Sequence, residues 1–178
     1  MNLAHYSADK FERGRPSVVE LLWLITATIA FARAVPFNFL RVAALRVFGA
    51  SLGRAVVVKP GVRVKFPWRL RVGDHSWIGE DAWIDNLDDV VIGSNTCISQ
   101  GAYLCTGNHD WKAETFDLMT APITVGDGVW IAAKAMIAPG VVIGNDSIVT
   151  LGCVLTRSVP ARSFCSAGQA LVHGRDAR

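Results

Sequence analysis

The 178-residue sequence predicts an all-β fold, a parallel β-helix of hexapeptide repeats, with a short α-helical N-terminal segment in front of it. Three observations carry this. Apolar residues recur every six positions through the body, the residue after each anchor is small or Thr through its C-terminal half, and the texture changes near residue 50 from Arg-studded apolar runs to the repeat. Neither a helix nor an alternating strand has a period of six; a chain that turns a corner every six residues does. The length suits one domain of ordinary size. A composition of 51% hydrophobic and 19% charged residues excludes a disordered tail protein, and 16 Gly with 7 Pro exclude collagen-like and low-complexity chains.

The chain divides into an apolar, basic segment (1–50), a repeat body (51–165) with a loop at about 105–118, and a tail (166–178). In the first segment Ser17 is placed to cap a helix starting at Val18, and Pro36 ends or kinks it. A second apolar stretch, Asn38 to Phe48, is closed by Gly49. Only twelve residues separate Glu20 from Arg33, short of the roughly 20 needed to span a bilayer. Residues 1–71 hold twelve Lys/Arg against three Asp/Glu, a net of +9, whereas residues 72–178 carry a net of −6. A basic front on an acidic body points to an anionic partner such as a membrane surface. Two readings stand for residues 17–48: a peripheral in-plane membrane anchor with Arg41 and Arg46 reaching the headgroups, or a helical cap packed on the body or on a neighbouring subunit. The basic residues lack a nucleic-acid-binding motif and interleaved stacking aromatics, so no nucleic acid is expected.

In the body the anchors are Met119, Val125, Ile131, Ile137, Ile143, Val149 and Leu155, and upstream Phe66, Val72, Ile78 and Ile84, then Ile92, Ile98 and Leu104 after a two-residue slip. Between Leu104 and Met119 the phase breaks again. Three hexads make one triangular coil, and coils stack at roughly 4.8 Å through ladder hydrogen bonds. The fourteen hexads give nearly five coils, and Val56, Val58, Val62 and Val64 suggest one irregular coil before them.

His109 lies in CTGNHDWKAETFDLMTAP, where the phase breaks; an excursion from a regular column is where function concentrates. Histidine suits proton transfer near neutral pH. The other histidines are His5, His75 and His173. Only His75 and His109 fall in the regular body, too few for a zinc site, so no metal is expected. Four Cys without CxxC spacing, and no cleavable signal, fit free thiols in the cytoplasm.

The hexads, with LRVFGA (45–50), FPWRLRVGDHSWIGEDAWI (66–84), IGSNTCISQGAYLCTGNHDW (92–111) and PITVGDGVWIAAKAMIAPGVVIG (122–144), resemble the hexapeptide acyltransferases, specifically the colanic acid biosynthesis type within the maltose/galactoside/nodulation acetyltransferase group. The resemblance covers about residues 40–170, and its most specific motif is TGNHD. It implies a left-handed β-helix and a homotrimer with active sites between adjacent prisms. It implies acetyl transfer from acetyl-CoA to a hydroxyl of a saccharide, an exopolysaccharide or its lipid-linked precursor, without a metal. By match, His109 is the general base, and Asp85 and Asn86 orient the acceptor sugar. Trp130, Ala133, Lys134, Leu151, Gly152, Thr156 and Arg157 match the acetyl-CoA groove, the last two in place of a Thr-Lys pair near the phosphates. Two departures stand out. Ile78 occupies the place of an Asn that helps form the site in the maltose and galactoside enzymes, and the tail reads AGQALVHGR instead of ending in Gly-Asn-Pro-Ala, with Gly168 and Ala170 kept. The alternative is a non-catalytic β-helix scaffold that binds membrane or a partner through its N-terminal segment, but a scaffold has no need of an exposed His on an excursion.

Overall fold

The computed structural model describes residues 3–6, 11–166 and 169–171. The body is a left-handed parallel β-helix, a triangular column with three sheet faces. The first face stacks Ser51–Leu52, Leu70–Val72, Val90–Ile92, Ile123–Val125 and Val142–Ile143. On the second lie Val57–Val58, Trp77–Ile78, Cys97–Ile98, Trp130–Ile131, Ile148–Val149 and Phe164–Ser166, the last pairing antiparallel with Gln169–Leu171. The third contains Arg63–Val64, Trp83–Asp85, Tyr103–Cys105, Met136–Ile137 and Val154–Leu155. The all-β, hexapeptide-repeat expectation is borne out.

The anchors point inward because successive strand residues face opposite sides. Ile78, Ile84, Ile98, Leu104, Ile131 and Val149 are fully buried, and so is the residue four places after most anchors, such as Ala82, Ala102, Val129 and Ala135. The residue after the anchor is small because coils nearly touch there. A Cβ on Gly79 would stand 2.8 Å from the backbone of Ser99 and Gln100 in the next coil. Two places further on, the corner takes a left-handed turn, as at His75, Asp81, Asn95, Gly101, Gly128, Lys134, Asp146 and Gly152. Gly, Asn and Asp adopt that conformation at least cost, which explains their recurrence. His75 is one of these exposed corner residues.

Two details of the repeat differ from expectation. Leu52, Val58 and Val64 are already six apart, and Val58 and Val64 pair in register with Ile78 and Ile84, so the first coil keeps the hexad phase across its three faces. Met119, in contrast, is exposed and belongs to an antiparallel hairpin outside the column, which resumes at Ile123. Its six-residue spacing from Val125 is coincidental.

The N-terminal helices behave differently from one another. Helix α1 (Ser17–Ala30) begins after Pro16, which stands at the N-cap position, so Ser17 is its first residue instead of its cap. The helix ends at Phe31, five residues before Pro36. Trp23 is its buried residue, held by a 2.8 Å bond from Nε1 to the carbonyl of Val64. Leu21, Leu22, Leu24, Ile25 and Ile29 are exposed. Helix α2 (Asn38–Val47) plugs the open end of the column with Leu45, which is fully buried. Asn38 bridges the edge of the second face, donating to the carbonyl of Val56 and accepting from the N–H of Val58. The Arg41 guanidinium is buried and donates to the carbonyls of Val58 at 2.6 Å and Val35 at 2.7 Å. Arg46 donates to Leu52 and Gly53 carbonyls. The reading of Arg41 as a headgroup ligand is thereby corrected: its buried guanidinium satisfies the Val58 carbonyl, which the first coil would otherwise leave unpaired, whereas Arg46 makes its bonds from an exposed position. Gly49, at φ +99°, closes α2, with Ala50 and Gly49 N–H bonded to the carbonyls of Leu45 and Arg46. Among the described residues no helix is long and apolar enough to cross a membrane.

Candidate active site

Every irregularity of the column falls on one vertical edge. On the first face, Ser51, Arg71, Val91, Thr124 and Val142 stand one above another, so successive coils take 20, 20, 33 and 18 residues. The extra residues all lie between the third face and the first: a 3-10 turn at Pro67–Arg69, then residues 86–89, then the excursion at 106–122. Asp85, Asn86 and His109 are therefore stacked on the same edge.

The excursion is a hairpin, Gly107–His109 paired with Leu118–Thr120. Its root is tied to the coil before it. Buried Thr106 donates from Oγ1 to the carbonyl of Asp85 at 3.0 Å and accepts from the N–H of Asp88 at 2.9 Å. The tip is organised by Asp110, whose Oδ1 accepts from the N–H groups of Lys112 and Ala113. Phe116 turns back with φ +51°, an uncommon conformation for an aromatic residue. That turn aims its carbonyl at His109 Nδ1, 2.8 Å away, and lays its ring on the imidazole with centroids 4.2 Å apart and planes within 2°. A carbonyl only accepts, so Nδ1 carries a proton, and in the neutral imidazole the lone pair is on Nε2. Half-buried His109 thus has a fixed ring, and its Nε2 has no hydrogen-bond partner among the described residues. The ring of Tyr6 flanks it at 5.7 Å.

Asp85 is buried beside this edge. Its Oδ2 accepts from Tyr103 Oη at 3.0 Å, and Lys65 Nζ lies 3.5 Å from Oδ1. Among the described residues Oδ1 has no hydrogen-bond partner. Burial, with Cys105 and Asp85 as hydrogen-bond neighbours, pushes the Tyr103 hydroxyl well above its ordinary pKa, so it remains a neutral donor. Asn86 is different. It is fully buried, with Nδ2 on the carbonyl of Phe66 at 2.6 Å and Oδ1 on the N–H of Phe66 at 3.0 Å. Its amide joins two coils and presents no face to a ligand, which corrects the expectation that Asn86 orients a sugar. Ile78 is a fully buried anchor, so the place of the family's Asn offers no polar group.

The residues matched to the acetyl-CoA groove lie elsewhere. Trp130 stands half-exposed on the second face, with Nε1 donating to Ser99 Oγ at 2.9 Å. Ala133 and Lys134 form the corner between the second and third faces, and Leu151 and Gly152 form the same corner one coil on. Lys134 and Gly152 have φ of +56° and +65°, as that corner requires. Thr156 and Arg157 are exposed on the His109 edge, two coils beyond it. Within one chain the third face separates His109 from Trp130 and the Ala133 corner. Gly168, of the tail expectation, and His173 lie outside the described residues. Among the described residues no group of three or more His, Cys, Asp or Glu is placed to hold a metal ion.

Comparison with known proteins fits this geometry. Residues 122–157 match the bacterial transferase hexapeptide family, six repeats. The chain is 37% identical over 173 residues, 96% of its length, to the Escherichia coli K12 protein named "Putative colanic acid biosynthesis acetyltransferase WcaF", 94% of which is covered. The chain belongs to the hexapeptide-repeat acetyltransferases. A second member, the galactoside O-acetyltransferase of E. coli, is 28% identical over 62% of this chain and 56% of its own. The hexapeptide-repeat acetyltransferase of Vibrio cholerae, solved with acetyl-CoA, shares the fold with a TM-score of 0.80 at 22% identity, covering 88% of this chain and 86% of the other.

Four residues beside His109 and Asp85 escaped the sequence reading: Lys65, Tyr103, Phe116 and Tyr6. Tyr103 stands one 20-residue coil after Trp83, and their rings stack at 4.7 Å. That offset shows in the sequence once the slip is counted into the coil length. The Phe116 carbonyl and the return of Tyr6 across the edge leave no comparable trace.

Proposed function

We propose that this acetyltransferase moves acetyl from acetyl-CoA to a hydroxyl of a saccharide, with His109 as general base and Asp85 orienting the acceptor. The observation that carries it is the Phe116 carbonyl on His109 Nδ1, which leaves Nε2 to accept a proton. Nε2 takes the proton of the acceptor hydroxyl as its oxygen attacks the thioester carbonyl. The tetrahedral intermediate then expels the CoA thiolate, and the imidazolium returns the proton to that sulfur. Asp85 Oδ1, which Lys65 Nζ approaches to 3.5 Å but which accepts no hydrogen bond among the described residues, suits a neighbouring sugar hydroxyl as donor. The names of the E. coli relatives, one for colanic acid biosynthesis and one for galactoside O-acetylation, support a saccharide acceptor.

Trp130, Ala133, Lys134, Leu151, Gly152, Thr156 and Arg157 are the residues we assign to acetyl-CoA, with Arg157 and Lys134 on its phosphates. Because the third face parts most of them from His109, we assign each site to two subunits of a homotrimer. The second and third faces support such packing: Trp77, Trp130 and Phe164 are exposed on one, Met136 and Val154 on the other. We place the protein in the cytoplasm, where four free thiols persist, with the exposed side of α1 in peripheral contact with the membrane. The test is subunit mixing. His109→Ala chains, reassembled with Ala133→Trp chains, should regain part of the acetyl transfer that each lacks alone. Confirmed mixed trimers with no activity would refute the shared site.

A further inference from the structure

Beside α1 runs a groove of about 680 Å³, between the helix and the first coils of the third face. That volume is in the range of small-molecule sites. Its walls are apolar: Leu21, Trp23, Leu24, Ala27 and Phe31 from the helix side, Trp83 from the column. Leu21 and Leu24 are more than half exposed, although a soluble helix usually turns such residues inward.

The two ends of the groove differ. Near Gly61 and Phe31, which are joined by a 2.8 Å backbone hydrogen bond, the walls are apolar. Arg63 follows, between Gly61 at the end of α1 and Val64, whose carbonyl Trp23 bonds, and Lys65 and Glu20 line the groove beyond that bond. Arg63 lies on the Trp83 ring, 4.1 Å from its centroid. Glu20 is paired with Arg13 at 2.7 Å and Lys65 with Asp85 at 3.5 Å, which leaves Arg63 as the cation here with no carboxylate partner among the described residues. The cationic end is also the end that meets the acceptor side of the active site. Trp83 and Asp85 are two apart in one strand and face the same way, Tyr103 stacks on Trp83 and bonds Asp85, and Lys65 is 3.5 Å from Asp85.

We propose that this groove holds the alkyl chain of a lipid-phosphate-linked saccharide. The chain lies along α1, the phosphate meets Arg63 and Lys65, and the glycan is delivered towards Asp85 and His109. An apolar trough, a cationic mouth and a sugar site in that order match the three parts of such a molecule, whereas a free sugar would use only the last. The inference rests on the saccharide reading above.

The experiment uses the full chain, with decyl phosphate as binding probe below its micellar concentration and decanol and inorganic phosphate as controls. In parallel, one disaccharide is offered free and as its decyl phosphodiester. Decyl phosphate should bind at least about tenfold more tightly than either control, and the lipid-linked disaccharide should show a KM lower by a similar factor, since two or three buried methylenes suffice for a decade. Leu24→Glu should erase both differences and leave turnover of the free disaccharide unchanged; Leu21→Gln should weaken them in the same direction. Equal KM for both acceptors would overturn the proposal, as would a preference untouched by either variant. A Leu24→Glu chain of altered assembly mass with the preference intact would assign the groove to a second copy. Loss of vesicle binding with the preference intact would assign it to the bilayer surface. If decyl phosphate binds and neither acceptor is acetylated, the saccharide reading fails and the lipid-phosphate site stands. If the free disaccharide is acetylated and decyl phosphate does not bind, the groove proposal alone fails.

Discussion

The edge between the first and second faces and the edge between the third and first are built from the same chain by opposite rules. At the first, each coil repeats one turn: Ala55, His75, Asn95, Gly128, Asp146 and Arg162 all adopt a left-handed conformation, and the side chains of Asp74, Ser94, Asp127 and Asn145 cap the backbone of a neighbouring coil. At the second, coil length varies and the chain leaves the column for a hairpin; Asp85, Asn86 and Thr106 are buried there, where the first edge buries only hydroxyls, at Ser76, Thr96, Ser147 and Ser163. The regular edge spends its side chains on the neighbouring coil. The irregular edge has backbone to spare, and that spare backbone carries the imidazole. A solenoid in which each coil touches only its neighbours tolerates such an insertion, because the coils above and below keep their own ladders.

The sharpest way to break this contrast is at His109. His109→Ala should lower kcat/KM for acetyl transfer by about 10²–10⁴-fold, as expected for loss of a general base, with the thermal midpoint unchanged. A fall in midpoint matching the fall in activity would mean that the hairpin is part of the scaffold. Gly79→Ala, at a corner between regular coils, should do the reverse. Its Cβ would meet backbone at 2.8 Å, and overpacking of this kind costs about 1–3 kcal/mol, read by denaturant unfolding, with activity per folded molecule preserved.

Asn86→Ala separates the two roles within the irregular edge. It orphans the buried N–H of Phe66, whose carbonyl keeps the Arg69 N–H, so a loss of about 1–3 kcal/mol of stability is expected without a selective rise in acceptor KM. A KM effect at unchanged stability would return Asn86 to the ligand. Tyr103→Phe removes the donor on Asp85 Oδ2 and should raise acceptor KM a few-fold, roughly the worth of one hydrogen bond, while KM for acetyl-CoA stays as it was. Equal changes in both would show a general loosening of the third face.

The smallest effect sharpens the picture of the column interior. Burial raises the thiol pKa of Cys153, and of Cys165, where the neighbouring Cys153 adds to it. The folded state thus disfavours the thiolate, and stability from these thiols is present below the unfolded thiol pKa and lost as pH rises through the raised values. At mildly alkaline pH, reagent should label half-buried Cys97 and Cys105 first, and Cys153 and Cys165 only on unfolding. Equal labelling rates would show that the last coils open.

The sequence by itself determined the repeat, its inward anchors, the corner residues, the excursion and the place of His109 in it. All of these are local or periodic: Ile131 to Ile137 to Ile143 needs no knowledge of what lies across the column. Tertiary structure alone decided what depends on contacts between coils. It took Met119 out of the column, because a hairpin partner, not spacing, sets its neighbours. It closed the Asn86 amide on the Phe66 backbone and set the Asp85 carboxylate between Lys65 and Tyr103, two outcomes for adjacent residues that corner chemistry treats alike. It buried Arg41 while leaving Leu24 exposed, against the ordinary preference of each side chain, because the carbonyls of Val58 and Val35 converge where Arg41 lies and no coil extends far enough to cover α1.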